Sequence, residues 1–336
     1  MLKGKQSILF EDAPYVISSG SVVGKKEGEG PLGPLFDLVE EENLFGQNTW
    51  EEAESEMQKE ACLMALGKAQ VQPEEVRYLF GGDLLRQGIA TSMGLEELHI
   101  PLFGLYGACS TMAESLLLST LIVGGGYADR VVAMTSSHFA SSERQYRFPL
   151  AYGGQRPPSA QWTVTGSGAA LVCSGGIGPR IDACTAGTVT DLGITDANNM
   201  GAAMAPAAYQ TIRAHFDDMG KGPEDFDLIV TGDLGQLGKE VLLELAKRDG
   251  VYLGGKITDC GTLVFDNTVQ DVHSGGSGCG CSAITLCSYL LGQLNTGKLR
   301  KILFCGTGAL LSPTSTQQGL PIPGVCHAVS ITSGRD

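Results

Sequence analysis

The residues with the clearest chemical potential lie in the run Tyr106-Gly107-Ala108-Cys109-Ser110-Thr111. The apolar run Ile100–Leu105 precedes it and predicts a buried strand. A second apolar run, Ser115–Val123, follows it and predicts a buried helix. A cysteine at the start of a helix lies near unpaired N–H groups, which favour the thiolate form. Two interpretations are open here: a nucleophile elbow built with cysteine, or a small buried cysteine that packs a turn.

The composition limits the kinds of partner that the chain can bind. Its 336 residues carry a formal net charge of −14, and 43% of them are hydrophobic, which is typical of a globular protein with a large core. Nucleic acid is not expected as a partner, because phosphate contacts need a basic surface. An anionic small molecule stays compatible with this charge, since a few arginines can dominate the field inside a pocket.

The cysteines and apolar runs indicate the environment of the chain. The first residues do not resemble a secretory segment, so the ten cysteines are expected to be reduced thiols in a cytosol-like compartment. Cys279 and Cys281 have no second pair of the same spacing, so no metal site is predicted. No apolar run reaches the ~18 residues that a transmembrane helix needs, which predicts a soluble or peripheral chain.

Buried strands alternate with helices, and the same order of elements occurs twice. The run Val76–Leu84 ends in Gly-Asp-Leu, and the run Asp225–Leu234 ends in the same three residues. Repetition at this scale predicts an α/β fold of two similar halves, residues 1–178 and 179–336. A long polar loop is expected over Ser141–Trp162, in the first half.

Four short motifs on this frame resemble the thiolase and β-ketoacyl synthase superfamily. The resemblance implies a thiolase-like fold, in which two duplicated α/β halves pack as a layered α-β-α-β-α structure. The motifs are Cys109 at its strand–helix turn, Gly166-Ser167-Gly168-Ala169-Ala170, His273-Ser274-Gly275-Gly276-Ser277-Gly278 and Cys305-Gly306-Thr307-Gly308.

The same resemblance indicates which residues could carry catalysis. Thiolase chemistry needs a thiolate, an activating imidazole, a further acid/base group and donors for the oxyanion. The resemblance implies Cys109, His273 and Cys305 for the first three roles. Where ketosynthases have a histidine loop, however, this sequence has Asp233, and a carboxylate beside a thiolate opposes nucleophilic attack. The chain is therefore expected to be a non-catalytic ligand binder, with residual acyltransferase activity left open.

Longer runs are similar to one branch of the superfamily, the stage V sporulation protein AD family. The resemblance implies a role in the uptake of dipicolinic acid into the developing spore. It places the chain peripherally at the forespore or spore inner membrane, beside other stage V sporulation A proteins. It also implies a homodimer paired near Ile100–Leu105, and no cofactor apart from the ligand dipicolinate, with or without calcium. The runs are Tyr106–Thr111, Asp191–Asp196, Met204–Ala208, Gly275–Ala283 and Thr307–Pro313.

Dipicolinate is a flat pyridine with two carboxylates, so its site should offer arginine or N–H donors and an aromatic wall. The polar loop carries arginines and aromatics, although each arginine could equally lie in a surface ion pair. Two other functions stay open: an acyl-CoA condensing or acyltransferase enzyme that uses Cys109, and a structural scaffold for membrane partners. The residues expected to bind the ligand are Cys109, Ser110, Arg144, Arg147, Tyr152, Arg156, Asp233 and His273.

Overall fold

A computed structural model describes residues 1–146 and 156–334. The strands are β1 (Leu2–Lys3), β2 (Ser7–Leu9), β3 (Tyr15–Gly24), β4 (Leu38–Glu40), β5 (Tyr78–Gly82), β6 (Leu102–Leu105), β7 (Arg130–Ser137), β8 (Trp162–Thr163), β9 (Gly166–Cys173), β10 (Arg180–Thr185), β11 (Leu228–Thr231), β12 (Ile257–Asp259), β13 (Gly276–Ser277), β14 (Lys301–Ala309) and β15 (Gly324–Thr332). The α-helices are α1 (Lys25–Gly28), α2 (Trp50–Ala69), α3 (Ile89–Leu95), α4 (Thr111–Gly124), α5 (Phe139–Tyr146), α6 (Met200–Met219), α7 (Gly235–Arg248), α8 (Cys260–Val264), α9 (Cys279–Thr285), α10 (Leu291–Asn295) and α11 (Pro313–Gln317).

The strand order confirms the predicted duplication of the fold. The first half has the order β3-β9-β7-β5-β6, and the second half has the matching order β10-β15-β14-β11-β12. The repeated Gly-Asp-Leu runs follow β5 and β11, which hold the same place in each half. The two sets of strands meet at the antiparallel pair of Tyr15 and Arg180. The boundary predicted after residue 178 falls between β9 and β10, and it stays a prediction.

The helices form the outer and middle layers of the predicted α-β-α-β-α arrangement. Helix α2 packs on β3 and β9, whereas α6 packs on β14 and β15, so each covers the outer face of one half. Helix α4 contacts β7 of the first half and β14 of the second, and α9 packs beside it on β9. Because α4 and α9 are covered on both sides, most of their side chains are buried, as predicted for Ser115–Val123.

Helix α2 begins with a capping box. The Thr49 hydroxyl accepts a hydrogen bond from the Glu52 N–H at 3.2 Å, and the Glu52 carboxylate accepts one from the Thr49 N–H at 3.1 Å. This capping box satisfies N–H groups that would otherwise lack partners at the helix start. It also fixes Trp50 as the first residue of α2.

Two expectations from apolar and polar runs are wrong. The predicted buried strand at Ile100–Leu105 is the edge strand β6, in which the Phe103 side chain is 50% exposed. An edge strand pairs on one side only, and its apolar residues look the same in sequence as those of an interior strand. The predicted loop Ser141–Trp162 begins inside α5 and ends at β8. No helix among the described residues is long and apolar enough to cross a membrane.

The exposed edge of β6 leads to a prediction about association. Phe103 stacks on Phe80 with ring centroids 4.9 Å apart, and Tyr106 beside it is also exposed. We expect this edge to pair with a second copy, because an open apolar edge is otherwise prone to aggregation. Light scattering should therefore give a dimer mass for the native chain and a monomer mass for Phe103→Asp.

The matched control is Tyr252→Asp, which changes an exposed aromatic residue in the second half. This variant should keep the dimer mass. A native monomer, or a Phe103→Asp variant that remains dimeric, would show that β6 is not the pairing edge.

Candidate functional site

The turn that carries Cys109 has the geometry of a nucleophile elbow. A single 3-10 turn, Ala108–Ser110, joins the end of β6 to α4. Ala108 has a φ of 53°, in the left-handed region that non-glycine residues rarely adopt. Cys109 is 6% exposed and lies at the base of a pocket, while the buried Ser110 hydroxyl donates to the Gly107 carbonyl at 2.7 Å. The structure therefore supports the predicted strand–turn–helix arrangement.

Strand β14 of the second half passes directly beside this elbow. A Cβ atom on Gly306 would lie 2.5 Å from the Cβ of Ala113, and one on Gly308 would lie 2.7 Å from the Gly107 carbonyl oxygen. Glycine is therefore required at both positions. Thr307, between them, extends to the other side of the strand and reaches Asp233. The Cys-Gly-Thr-Gly motif thus has a structural reason: it lets the two halves approach each other at the site.

Asp233 is the group that the second half places against Cys109. Its carboxylate accepts hydrogen bonds from the Thr307 hydroxyl at 2.8 Å, the Ser277 hydroxyl at 3.1 Å and the Gly278 N–H at 3.0 Å. The thiol of Cys109 lies close enough to Asp233 for each group to influence the pKa of the other. Asp233 has no accessible surface, so these donors take the place of water around a buried carboxylate.

The electrostatics of the site oppose a reactive thiolate. Burial raises the pKa of the Cys109 thiol well above its ordinary value, and the nearby Asp233 carboxylate raises it further. Burial also raises the pKa of Asp233 to about 6, although its hydrogen-bond donors act in the opposite direction. The expected effect of the helix start, a stabilised thiolate, is therefore outweighed. The sulfur of Cys109 holds its proton at neutral pH.

The pocket above Cys109 is narrow, with an internal volume of about 50 Å³. Its polar lining consists of hydroxyl and thiol groups and one carboxyl side chain, and no lysine or arginine lines it among the described residues. The sequence does not indicate that several of these residues line a pocket. Ser277 is different, because it lies in the glycine-rich motif His273–Gly278 identified in the sequence. The lining residues are Leu84, Ala108, Cys109, Ser142, Glu143, Tyr146, Thr163, Met200, Ser277, Ala309 and Leu311.

The structure does not assemble His273 and Cys305 around Cys109. The His273 ring pairs with the Asp271 carboxylate at 3.1 Å, and His273 is not among the residues that line the pocket. His273 has a φ of 52°, in the left-handed region. Ser277, later in the same loop, lies in strand β13, and its side chain lines the pocket. Cys305 is fully buried in the core between β14 and α6, where its sulfur lies beside Cys326. Residues of the second half that lie next to Cys109 instead include Asp233, Gly278 and Cys279.

The predicted arginines likewise lie outside the Cys109 pocket. Arg144 forms an ion pair with Glu51 and faces a surface groove. Arg156 forms an ion pair with Asp271 at 2.9 Å, so both arginines have the ion-pair partners that the sequence left open. Arg147 and Tyr152 lie outside the described residues. The described residues contain no group of three or more His, Cys, Asp or Glu side chains placed to hold a metal ion.

The fold is shared with enzymes described as 3-oxoacyl-(acyl carrier protein) synthase III. The chain aligns with a 3-oxoacyl-(acyl carrier protein) synthase III from Xanthomonas oryzae at a TM-score of 0.61 and 15% identity, covering 97% of this chain and all (100%) of that one. The corresponding synthase from Aquifex aeolicus gives a TM-score of 0.58 at 15% identity, with 95% and 99% coverage. At this identity the likeness shows the thiolase-like fold alone.

Sequence comparison is more specific than fold comparison. The model of the stage V sporulation protein AD family matches residues 4–332. The stage V sporulation protein AD of Bacillus subtilis is 44% identical over 328 residues, which cover 98% of this chain and 97% of that protein. The chain belongs to the stage V sporulation protein AD family. The resemblance identified from its motifs is confirmed, and so is the assignment to sporulation.

Within this member of the stage V sporulation protein AD family, a second buried acid supports the Asp233 loop. The Asp259 carboxylate accepts hydrogen bonds from the N–H groups of Leu234 and Gly235, at 2.8 and 3.0 Å. These groups lie at the start of α7, where a carboxylate satisfies unpaired donors. Burial raises the pKa of Asp259 to about 7. The loop is therefore held from both sides by buried acids rather than by an imidazole.

We expect removal of the Asp233 charge to make Cys109 more reactive. Asp233→Asn keeps the size of the side chain but removes the negative charge that raises the pKa of the thiol. Alkylation of Cys109 by iodoacetamide, followed by peptide mass spectrometry, should become about tenfold faster for a pKa lowered by one unit. Asp271→Asn, which changes an exposed aspartate, is the control and should leave the rate unchanged. An unchanged rate in Asp233→Asn would show that the carboxylate does not control the thiol.

The buried acids also make the free energy of unfolding depend on pH. The pKa is raised by burial to about 7 for Glu27, about 6 for Asp233 and about 7 for Asp259. Unfolded carboxyl groups titrate near pH ~4, so the folded chain binds more protons between about pH 4 and pH 7. The stability contributed by these three acids is therefore present at the acidic end of this window and is lost as the pH rises through it. The lowered pKa of the buried His138, His215 and His327 acts in the opposite direction.

Urea unfolding of the native chain and of Glu27→Gln, at about pH 5 and about pH 8, isolates the contribution of one acid. Between these pH values the variant should lose less free energy of unfolding than the native chain, by on the order of 1–3 kcal/mol, because it lacks one titrating group. The same change in the native chain and in the variant would contradict the raised pKa of Glu27.

Proposed function

We propose that this chain is a non-catalytic binder of dipicolinate that takes part in dipicolinate uptake during sporulation. The observation that carries the proposal is the pairing of the Cys109 thiol with Asp233, at the place where condensing enzymes of this fold need an imidazole. A thiol that keeps its proton is a poor nucleophile. Family membership over nearly the whole chain supports the link to the developing spore.

The chemistry of dipicolinate fits a site that offers hydrogen-bond donors, rather than a catalytic site that transfers protons. Dipicolinate offers two carboxylates and a ring nitrogen, which accept hydrogen bonds from hydroxyl, N–H and guanidinium groups. The ligand set proposed from the sequence remains Cys109, Ser110, Arg144, Arg147, Tyr152, Arg156, Asp233 and His273. The ligand is free dipicolinate or its calcium chelate. The partners are a second copy of the chain and other stage V sporulation A proteins at the spore inner membrane.

Calorimetry tests the binding proposal directly. Titration of the purified chain with dipicolinate, with and without calcium, should give a saturable heat at one stoichiometry. Benzene-1,3-dicarboxylate is the matched control ligand, because it keeps both carboxylates and the flat ring but lacks the ring nitrogen. It should bind more weakly. No heat with dipicolinate in either condition would reject the proposal.

A second function, acyl transfer by Cys109, keeps some support from the elbow geometry and from the fold of the condensing enzymes. Incubation with acetyl-CoA, followed by intact-mass measurement, discriminates between the two functions. The raised pKa of the thiol leads us to expect no adduct on the native chain. An acetyl adduct on the native chain that is lost in Cys109→Ala would favour the enzyme.

A third function, a purely structural scaffold for membrane partners, differs in its dependence on ligand contacts. A scaffold would keep both complex assembly and dipicolinate uptake after a change such as Arg144→Ala. A binder would keep assembly and lose uptake. Because Arg144 lies in a surface ion pair, its replacement should not disturb the core.

A further inference from the structure

Tyr146 packs against residues at the base of the Cys109 pocket. It is the last residue of α5, and its ring packs on a small buried cluster of Leu84, Cys109 and Cys279. Among the described residues, this cluster is separate from the three larger hydrophobic cores. Because the Tyr146 ring packs on so small a set of apolar neighbours, hydrogen bonds at the end of α5 must help to hold it in the pocket.

A backbone carbonyl holds the Tyr146 hydroxyl. The hydroxyl donates to the Leu84 carbonyl at 2.5 Å, and burial raises the pKa of Tyr146, so it keeps the proton that it donates. The adjacent Gln145 amide donates to the same carbonyl at 2.9 Å, and its oxygen accepts a hydrogen bond from the Arg86 N–H at 3.0 Å. We call these three hydrogen bonds the clasp, because they join the end of α5 to the loop that follows β5.

The loop side of the clasp is fixed by the buried carboxylate of Asp83. This carboxylate accepts hydrogen bonds from the Leu85 N–H at 2.8 Å, from the Thr91 N–H at 2.8 Å and from the Thr91 hydroxyl at 2.6 Å. A tyrosine side chain, in contrast, changes its position by rotation between staggered χ1 conformations, without movement of the backbone. Opening of the clasp should therefore move Tyr146 and leave the loop in place.

The outer end of the clasp meets solvent at Tyr106. The Tyr106 hydroxyl lies 3.0 Å from the Tyr146 hydroxyl and 3.4 Å from the Leu84 carbonyl oxygen, and Tyr106 is 53% exposed. Tyr146 itself is only partly buried, so water can replace Leu84 as the partner of its hydroxyl when the ring rotates outward. Opening of the clasp therefore leaves the Tyr146 hydroxyl with a hydrogen-bond partner.

The size of the pocket determines what can reach Cys109 while the clasp is closed. Its internal volume is about 50 Å³, whereas a cavity of about 150 Å³ holds benzene. A six-membered ring therefore does not fit above Cys109 with Tyr146 in place. Tyr146 has the largest side chain of the described residues that line the pocket, so its outward rotation is the single side-chain movement that enlarges the pocket most.

We propose that Tyr146 is a gate over Cys109, which admits small molecules when the clasp is closed and a six-membered ring only when the clasp opens. Gln145 positions this gate, because it binds the same Leu84 carbonyl but is not among the residues that line the pocket. This role goes beyond the proposed function, since it concerns the access of any molecule to the thiol. It does not depend on whether dipicolinate binds.

Alkylation of Cys109 by two maleimides tests the gate. N-methylmaleimide and N-phenylmaleimide share one reactive group, and only the second carries a six-membered ring. Peptide mass spectrometry gives the rate for each reagent, which is divided by the rate of that reagent with glutathione. In the native chain the phenyl reagent should be slower by about tenfold or more, because it reacts only with the open state. Gln145→Ala and Tyr146→Ala should each raise its rate by about fivefold or more and change the rate of the methyl reagent much less.

The ratio of the two rates separates gating from a change in the thiol itself. Asp233→Asn should change both rates by the same factor, and the matched control Gln236→Ala, which removes an exposed amide on α7, should keep the native ratio. Cys62, buried in the core, reports unfolding in the same digests. An unchanged ratio in Gln145→Ala would overturn the gate, and so would faster alkylation of Cys109 that Cys62 shares.

Discussion

One buried carboxylate, that of Asp233, holds the two halves of the molecule in register at the site. Removing a carboxylate from water costs several kcal/mol unless donors surround it. The donors here come from the elbow of the first half, through Cys109, and from two segments of the second half, through Thr307 and Gly278. The elbow, the glycine-rich loop and the end of β14 must therefore keep their relative positions. The glycines of β14 exist because this arrangement brings two backbones into contact.

The same interaction influences the reactivity of the cysteine at the elbow. An elbow that presents a cysteine at a helix start is a general device for making a nucleophile, yet the outcome depends on the group placed opposite. A carboxylate in that position keeps the proton on the sulfur, whereas an imidazole would accept it. Similarity of fold at 15% identity therefore leaves the chemistry undetermined, and the side chain that faces the turn decides it.

The sequence was sufficient for the fold and only partly sufficient for the site. The repetition of Gly-Asp-Leu at matched positions predicts the duplication, because a repeated signal can be recognised in the sequence alone. The partners of Arg144 and Arg156 lie 93 and 115 positions away, at Glu51 and Asp271, and no local pattern indicates them. The exposure of β6 could not be predicted either, because an apolar strand has the same sequence pattern at the edge of a sheet and in its interior.

The buried acids change the electrostatic repulsion between the whole molecule and an anion in solution. The formal charge of −14 counts every carboxyl group as ionised, including those of Glu27, Asp233 and Asp259. Each of these groups that keeps its proton near neutrality removes one negative charge from the field around the protein. The electrostatic barrier to an approaching dianion is thus lower than the sequence suggests, and it falls further in a mildly acidic compartment. The diffusional encounter with an acidic ligand becomes faster as these buried acids gain protons.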